Sequence, residues 1–382
     1  MDTYRRINMF RVSKKANSTA STFILLGGLL MVAYLCTDFN EGETTYLTSV
    51  AAKQNRSSIN SYPRCQQNIS AAGIPGFGSL SREIQDFLYH RHCRHFPMIL
   101  DLPDKCGGDD NPEDVFLLLV IKSPPTNYER REVLRKTWAK EKLHRGMWIR
   151  RVFLSGTLSD GLHKEKMNKL LEVEHREHKD ILQWDFYETF FNLTLKQILF
   201  LEWMERNCNH ARFLLNGDDD VLANTDNIVE YLDGLGSYDW RKHLFTGHLI
   251  SGAGPIRRST SKYYIPVQVY EPSFYPPYCG GAGYLLSGYT ALAIYHTSES
   301  VPLLPIDDVY IAMCLAKANL QPTSHTGVKT LDFTKTLQKV QNDPCILKEL
   351  LLVHNFPPAF IYVIWYQLHE ANLTCGYHTE IY

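Results

Sequence analysis

The sequence predicts an α/β domain on a mostly parallel β-sheet, and three apolar runs carry that expectation. VFLLLVIKS (115–123) is unbroken by charge until its end, as a strand buried on both faces is. RVFLSG (151–156) and RFLLNGDDDV (212–221) repeat the pattern. Helical stretches separate and follow them. One runs from 127 to about 142, and a second carries Leu195, Ile198, Leu199 and Trp203 on one face. A third, 224–236, has Asn or Thr at its cap and glycine at its stop. Alternating strands and helices give a mostly parallel sheet. Such sheets bind ligands beyond the carboxyl ends of their strands.

The chain has 382 residues, enough for a sizeable core. Its formal net charge of -1 gives no footprint for a polyanion, which argues against nucleic acid as a partner.

Basic charge does gather at the N-terminus. Arg5, Arg6, Arg11, Lys14 and Lys15 stand against one acid, Asp2. The uncharged run TFILLGGLLMVAYLC (22–36) follows. Counted from 20 to 37, it just reaches the ~17 residues that a spanning helix needs. The basic flank then stays in the cytosol and everything after Asp38 is lumenal. The short span suits a thin early-secretory or Golgi bilayer. A cleaved signal peptide is the competing reading, but no compact small-x-small site follows the run.

The expected organisation is a cytosolic tail (1–19), a transmembrane signal-anchor (20–37) and a flexible stem (38–61). A disulfide-stapled lead-in (62–112) and a catalytic domain (113–382) follow. In the lead-in, Ile84, Phe87 and Leu88 sit at helical spacing. Beyond Cys36 there are Cys65, Cys93, Cys106, Cys208, Cys279, Cys314, Cys345 and Cys375. An even lumenal set implies disulfides, of unread connectivity, though some can remain buried thiols. Asn55, Asn68, Asn192 and Asn372 are lumenal N-glycosylation sequons, and Asn17 matches on the cytosolic side, where it stays bare.

Asp218, Asp219 and Asp220 are the strongest chemical signal, because they end an apolar strand. Three carboxylates there are costly unless a cation or donors neutralise them. A divalent metal bridging a nucleotide's diphosphate does so; a solvated acidic loop is the bland alternative. Arg131 and Arg135 are four apart on the helix after the first strand, a spacing suited to phosphate or ribose. A solvated basic helix explains them equally well.

RREVLRKTW, FLLNGDDDV, YPPYCGGAGYLLS and PIDDVYIAMCL, in this order and spacing, resemble the β-1,3-glycosyltransferase family. LQWDFYETFFNLTLK and the ending NLTCGYHTEIY are similar to the β-1,3-N-acetylglucosaminyltransferases that make poly-N-acetyllactosamine or extend core-1 O-glycans. The resemblance runs from about residue 62 to the end. It implies a GT-A fold, a UDP-sugar donor (UDP-GlcNAc), Mn2+ or Mg2+, inversion at the anomeric carbon, and a Golgi membrane location.

It also implies roles. Asp220 and His354 fall on metal ligands, and Asp218 on a contact to ribose or a metal-bound water. With Asp219, Arg131 and Arg135, Asp218 makes the expected donor site. Asp308 falls on the catalytic base, with Asp307 beside it, and capping of a helix start is the other reading of that pair. Tyr278, Gly280, Gly281, Trp184 and Asp307 make the expected sugar and acceptor pocket. Tyr275, Tyr278, Trp184 and Phe186 are offered as sugar-stacking rings or as core aromatics. Ala282 stands where family members often have glycine, which implies a narrower pocket. The implied acceptor is a galactose-ended glycan on a glycoprotein or glycolipid, and a homodimer is left open. A β-1,3-galactosyltransferase and a non-catalytic Golgi lectin or chaperone are the rivals. A metal-dependent hydrolase lacks its HExxH motif here.

Overall fold

A computed structural model describes residues 65–107, 114–159, 161–235, 241–330, 343–370 and 373–375. The expected tail, anchor and stem, with Asn17, Asn55 and Asn372, lie outside these residues. Among the described residues no helix is long and apolar enough to cross a membrane.

The lead-in contributes helix α1 (Arg82–His90), which buries Ile84, Phe87 and Leu88, and strand β1 (Met98–Leu100). Strand β2 (Val115–Lys122) is buried at every position. After Pro124 and Pro125 the chain enters α2 (Tyr128–Lys136). This helix stops well before the expected Lys142. Thr137 leaves helical geometry (φ -118, ψ -128), and Trp138 drops into the core, where its indole nitrogen donates to the Val221 carbonyl at 3.0 Å. A buried indole keeps its N–H paired this way.

The chain continues through β3 (Lys142–His144), β4 (Met147–Thr157), α3 (Leu162–His178) and β5 (Ile181–Tyr187). Helix α4 (Leu193–Asn207) is buried on nearly all sides rather than on one face. Next come β6 (Phe213–Asp218), β7 (Leu222–Ala223) and α5 (Thr225–Gly234). Asn224 caps α5, accepting from the Asn227 N–H at 3.2 Å. Then follow β8 (Phe245–Ile250), β9 (Tyr278–Ser287), α6 (Gly288–Ser298) and α7 (Asp307–Lys317). The chain closes with β10 (Thr323–Ser324), β11 (Val328–Lys329), α8 (Pro344–Glu349), β12 (Leu352–Val353) and α9 (Pro358–Leu368).

The main sheet runs β1-β5-β4-β2-β6-β9-β8-β10, with β3 paired to β4. Strands β5, β4, β2 and β6 are mutually parallel. Strand β9 is antiparallel to both neighbours, β6 and β8, so the sheet is mixed rather than mostly parallel. A fully buried apolar strand carries no mark of its direction, which tertiary pairing decides. Side chains alternate across the sheet. Leu118 and Val120 join a core with α1, α4, α6 and α7, while Leu117, Leu119 and Ile121 join one with α2, α5, α8 and α9. The result is a sheet between two helical layers, an α/β body that fits the expected GT-A-like architecture.

Three cysteine pairs lie at disulfide distance: Cys65–Cys93, Cys106–Cys208 and Cys345–Cys375. The second ties the lead-in to the end of α4. Cys279 and Cys314 are buried free thiols.

Candidate active site

Register builds the site. In the β2–β6 pair Lys122 stands beside Asp218, and in the β6–β9 pair Gly217 stands beside Gly283. The carboxyl ends of two central strands and the start of an antiparallel third therefore meet at one corner. Helix α7 brings Asp307 and Asp308 to the same corner in its first turn. A cavity of about 340 Å³ opens there, lined by Lys122, Asp218, Asp307, Asp308, Tyr278 and His354 among others. A larger cavity of about 510 Å³ shares no lining residue with it and holds none of these groups.

Asp218, Asp220 and His354 converge. One ligand atom from each lies within 4.8 Å of the other two. His354 Nε2 is 3.3 Å from Asp220 Oδ1, a buried oxygen that accepts no well-formed hydrogen bond among the described residues. Burial would lift the Asp220 carboxyl, yet His354 holds it below its ordinary value. Burial would also lower the His354 imidazole, but Asp220 raises it. Burial, joined by Asp307 and Asp220, pushes Asp218 up to about 6 against the pull of Lys122. Two carboxylates and an imidazole around an under-satisfied oxygen are a donor set that fits a divalent cation.

Asp219 faces away from this group. Its Oδ2 accepts from Ser123 Oγ at 2.7 Å and Asn127 Nδ2 at 2.9 Å. It locks the acidic turn to the end of β2.

Asp308 stands apart from the acid–histidine set. Its Oδ2 accepts from the Gly281 N–H at 3.1 Å, and its Oδ1 from the Val309 N–H at 2.7 Å. Burial, then the neighbouring Asp307 charge, push it up to about 7. Asp307 is paired with Lys122, Oδ2 to Nζ at 2.8 Å. Lys122 is itself buried, lies 3.0 Å from Asp218 Oδ1, and donates to the Gly281 carbonyl at 2.9 Å. Burial would lower its ammonium, but the Asp218 and Asp307 carboxylates outweigh that and hold it well above its ordinary value.

Tyr278, Gly280 and Gly281 line the cavity as expected, and so does Ala282. Trp184 does not. It is 2% exposed and packs in the core on the α4 side of the sheet, because β5 is an internal strand that turns this side chain under a helix. Phe186, two residues on, lies in the same core.

Arg131 and Arg135 are also placed elsewhere than expected. Both are buried. Arg131 meets Glu174 at 2.7 and 2.8 Å, and Arg135 meets Asp180 at 2.8 Å through two nitrogens. The shared helix face points at α3 and the start of β5, not at the cavity. Arg131 still touches the acidic corner indirectly: it donates to Ser123 Oγ at 3.1 Å, and Ser123 holds Asp219. Asn68 is exposed, and Asn192 is half-buried with its amide donating to the Tyr187 carbonyl at 2.8 Å.

Lys122 received no role from the sequence. The available signal was a lysine ending a strand buried at every position, next to acids that need a counter-charge.

A three-layer α/β body with acids and a histidine at its strand ends, and a separate acid pair at a helix start lining the same cavity, has the build of a sugar-nucleotide glycosyltransferase. Comparison with known proteins narrows this: the chain belongs to the Galactosyltransferase family, whose profile matches residues 129–326. It is 49% identical over 320 residues to the human N-acetyllactosaminide beta-1,3-N-acetylglucosaminyltransferase 3, covering 83% of this chain and 84% of that protein. It is 45% identical over 328 residues to the human acetylgalactosaminyl-O-glycosyl-glycoprotein beta-1,3-N-acetylglucosaminyltransferase, covering 85% and 84%. With the mouse UDP-GlcNAc:betaGal beta-1,3-N-acetylglucosaminyltransferase 7 it shares 40% over 321 residues, covering 83% and 79%.

Proposed function

We propose that this chain transfers N-acetylglucosamine from UDP-GlcNAc to the 3-hydroxyl of a terminal galactose, forming a β1,3 bond with inversion. The observation that carries this reading is the gathering of Asp218, Asp220, His354 and Asp308 at one corner, with Asp308 outside the metal-grade set. The three relatives described above, all named as β-1,3-N-acetylglucosaminyltransferases, support the donor sugar and the linkage.

Asp218, Asp220 and His354 would hold Mn2+ or Mg2+, which neutralises charge building on the departing diphosphate. Asp219, Ser123 and Asn127 fix the turn that presents these ligands. Asp308 takes the proton from the acceptor hydroxyl. An inverting transfer needs that base on the face opposite the leaving group. The two backbone N–H groups on Asp308 fix its orientation, and burial, then the Asp307 charge, keep its basicity high. Lys122 pairs with Asp307 at 2.8 Å and makes no direct hydrogen bond to Asp308 among the described residues.

The acceptor in this reading is a galactose-ended glycan on N-acetyllactosamine or a core-1 O-glycan. The basic flank and apolar run at 1–37 support a single-pass Golgi membrane protein with its catalytic domain in the lumen.

The test is a donor panel of UDP-GlcNAc, UDP-galactose and UDP-GalNAc with manganese and a galactose-ended acceptor, the product read by NMR. A β1,3-linked N-acetylglucosamine is the expected product. Preference for another donor, or an α-configured product, would sink the reading.

A further inference from the structure

The segment 299–306 links α6 to α7 and runs directly into Asp307 and Asp308. It forms no helix or strand, carries Pro302 and Pro305, and buries Val301, Leu303 and Leu304. Buried irregular backbone must find partners for its carbonyls outside any helix or sheet. Here side chains from distant parts of the chain supply them. Arg94 Nη2 donates to the Val301 carbonyl at 2.8 Å, and Arg91 Nε to the Leu303 carbonyl at 2.7 Å. Thr194 Oγ1, at the start of α4, donates to the Leu304 carbonyl at 2.6 Å.

Each arginine also holds a second acceptor. Arg91 Nη2 donates to the Val269 carbonyl at 3.2 Å, and Arg94 Nη1 to the Tyr310 hydroxyl at 3.3 Å. Tyr310 is fully buried in α7, two residues after Asp308, and its hydroxyl donates to the Ser298 carbonyl at 2.9 Å. A guanidinium offers five donors in a fixed fork, so one side chain can hold acceptors from separate segments. Among the described residues neither arginine forms an ion pair with a carboxylate; both are spent on neutral oxygens.

Both arginines come from the turn after α1, and Cys93 between them is bonded to Cys65. The lead-in puts none of its described residues on the wall of the active-site cavity. Its grip falls instead on the approach to the helix that carries Asp308. Asp308 follows Leu304 by four residues, so a shift of the segment passes straight into the first turn of α7.

We propose that Arg91 and Arg94 are positioning residues for the transfer: their hold on 299–306 sets where α7 begins, and so where Asp308 stands against Gly281. This rests on the reading of Asp308 as the base.

The experiment compares Arg91→Lys, Arg94→Lys and Tyr310→Phe with the wild type. A control, Leu171→Ala, opens a cavity in the core on the other face of the sheet. The readouts are kcat per folded molecule, KM for UDP-GlcNAc, calorimetric UDP affinity with manganese, and the thermal midpoint. Lysine keeps the charge but loses the fork that holds two acceptors. Each arginine variant is expected to lose about tenfold in kcat, part of the about hundredfold that a misplacement of ~1 Å can cost. Donor KM and UDP affinity stay at the wild-type values. Tyr310→Phe keeps the ring, removes the hydroxyl that Arg94 holds, and loses kcat in the same direction by less. Leu171→Ala lowers the midpoint and keeps kcat per folded molecule. Wild-type kcat in both arginine variants overturns the proposal. So does an equal fall in Leu171→Ala, or UDP affinity falling along with kcat, since either marks a general loosening. If the lysine variants do not fold, Tyr310→Phe decides: wild-type kcat overturns the proposal, and reduced kcat with UDP affinity kept supports it. Wild-type transfer by Asp308→Asn is a different result, and defeats the reading of the base itself.

Discussion

Lys122 Nζ and Asp307 Oδ2 form a buried ion pair, 2.8 Å apart, that joins the carboxyl end of the central strand β2 to the first turn of α7. The same ammonium reaches Asp218 at 3.0 Å. One cation thus holds the helix that carries Asp308 against the strand that carries the acid cluster. Lys122→Met breaks this pair and leaves the buried Asp307 and the half-buried Asp218 without their cation. Breaking such a pair costs about 3–5 kcal/mol, so a clear fall in the thermal midpoint is expected, together with loss of transfer. Adding Asp307→Asn to this variant is expected to recover part of the stability, because one unpaired charge is removed. Equal midpoints for the wild type and Lys122→Met would show the pair to be incidental.

The pH profile should report Asp308. Its carboxyl stands at about 7, raised by burial and then by Asp307. A base works only when deprotonated, so kcat/KM should rise with pH up to about 7 and flatten above it. Asp307→Asn removes the neighbouring negative charge. The acid limb should then move to lower pH, by less than the full shift, because burial remains. Asp308→Asn should abolish transfer while UDP and manganese still bind. An acid limb unmoved by Asp307→Asn would assign it to another group.

Arg131 separates the two readings of the basic helix. Its guanidinium is spent on Glu174, Ser123 Oγ and two carbonyls. Arg131→Ala would leave the buried Glu174 with one guanidinium instead of two, that of Arg135 at 2.7 Å. A loss of stability smaller than the about 3–5 kcal/mol of an uncompensated buried charge is expected, with KM for the donor close to wild type in whatever protein stays folded. A folded, stable variant with a strongly raised donor KM would restore the direct phosphate contact.

What was legible in the sequence divides along physical lines. The runs that became β2 and β6 were clear because a buried strand must be apolar throughout. The Asp218–Asp220 cluster was clear because charge at the end of such a run needs a reason. Asp308 and His354 owed their assignment to the family resemblance, since an acid pair and a late histidine carry no spatial message by themselves. Spacing put Arg131 and Arg135 on one helix face but could not say what lay opposite. Glu174 and Asp180, some forty residues later, decided that. Trp184 fell to the core for the same reason: strand alternation gives two faces, and only the packed sheet says which is covered. The direction of β9 and the Lys122 pair were invisible because both arise from neighbours distant in sequence.

Cation binding should follow the Asp218, Asp220 and His354 set. Asp220→Asn and His354→Ala each remove one donor from a group whose ligand atoms lie within 4.8 Å of one another. Calorimetry with manganese and UDP should show affinity falling at least ~10-fold for each, a loss of about 1.4 kcal/mol or more. Circular dichroism should stay unchanged, because neither side chain supports the core. Chelation of the wild type should weaken UDP binding in the same way. Undiminished manganese-dependent UDP binding in both variants would place the cation elsewhere.

Two glycines at the corner should respond differently to the same added methyl. At Gly281 a Cβ would stand 3.3 Å from Asp308 Cβ and 3.4 Å from its Oδ2. The neighbour that must give is the base itself, and it can move by a few tenths of an ångström. Gly281→Ala should therefore fold with a thermal midpoint near wild type but transfer less well, by less than the about hundredfold that a misplacement of ~1 Å can cost. At Gly217 a Cβ would stand 2.7 Å from the Ala282 carbonyl oxygen, in the paired strands β6 and β9. Backbone on both sides leaves nothing cheap to move, so Gly217→Ala should destabilise the sheet by about 1–3 kcal/mol or more. Its activity should fall only in step with the folded fraction. If instead Gly281→Ala transferred normally, the close approach of Gly281 to Asp308 would have no part in aiming the base.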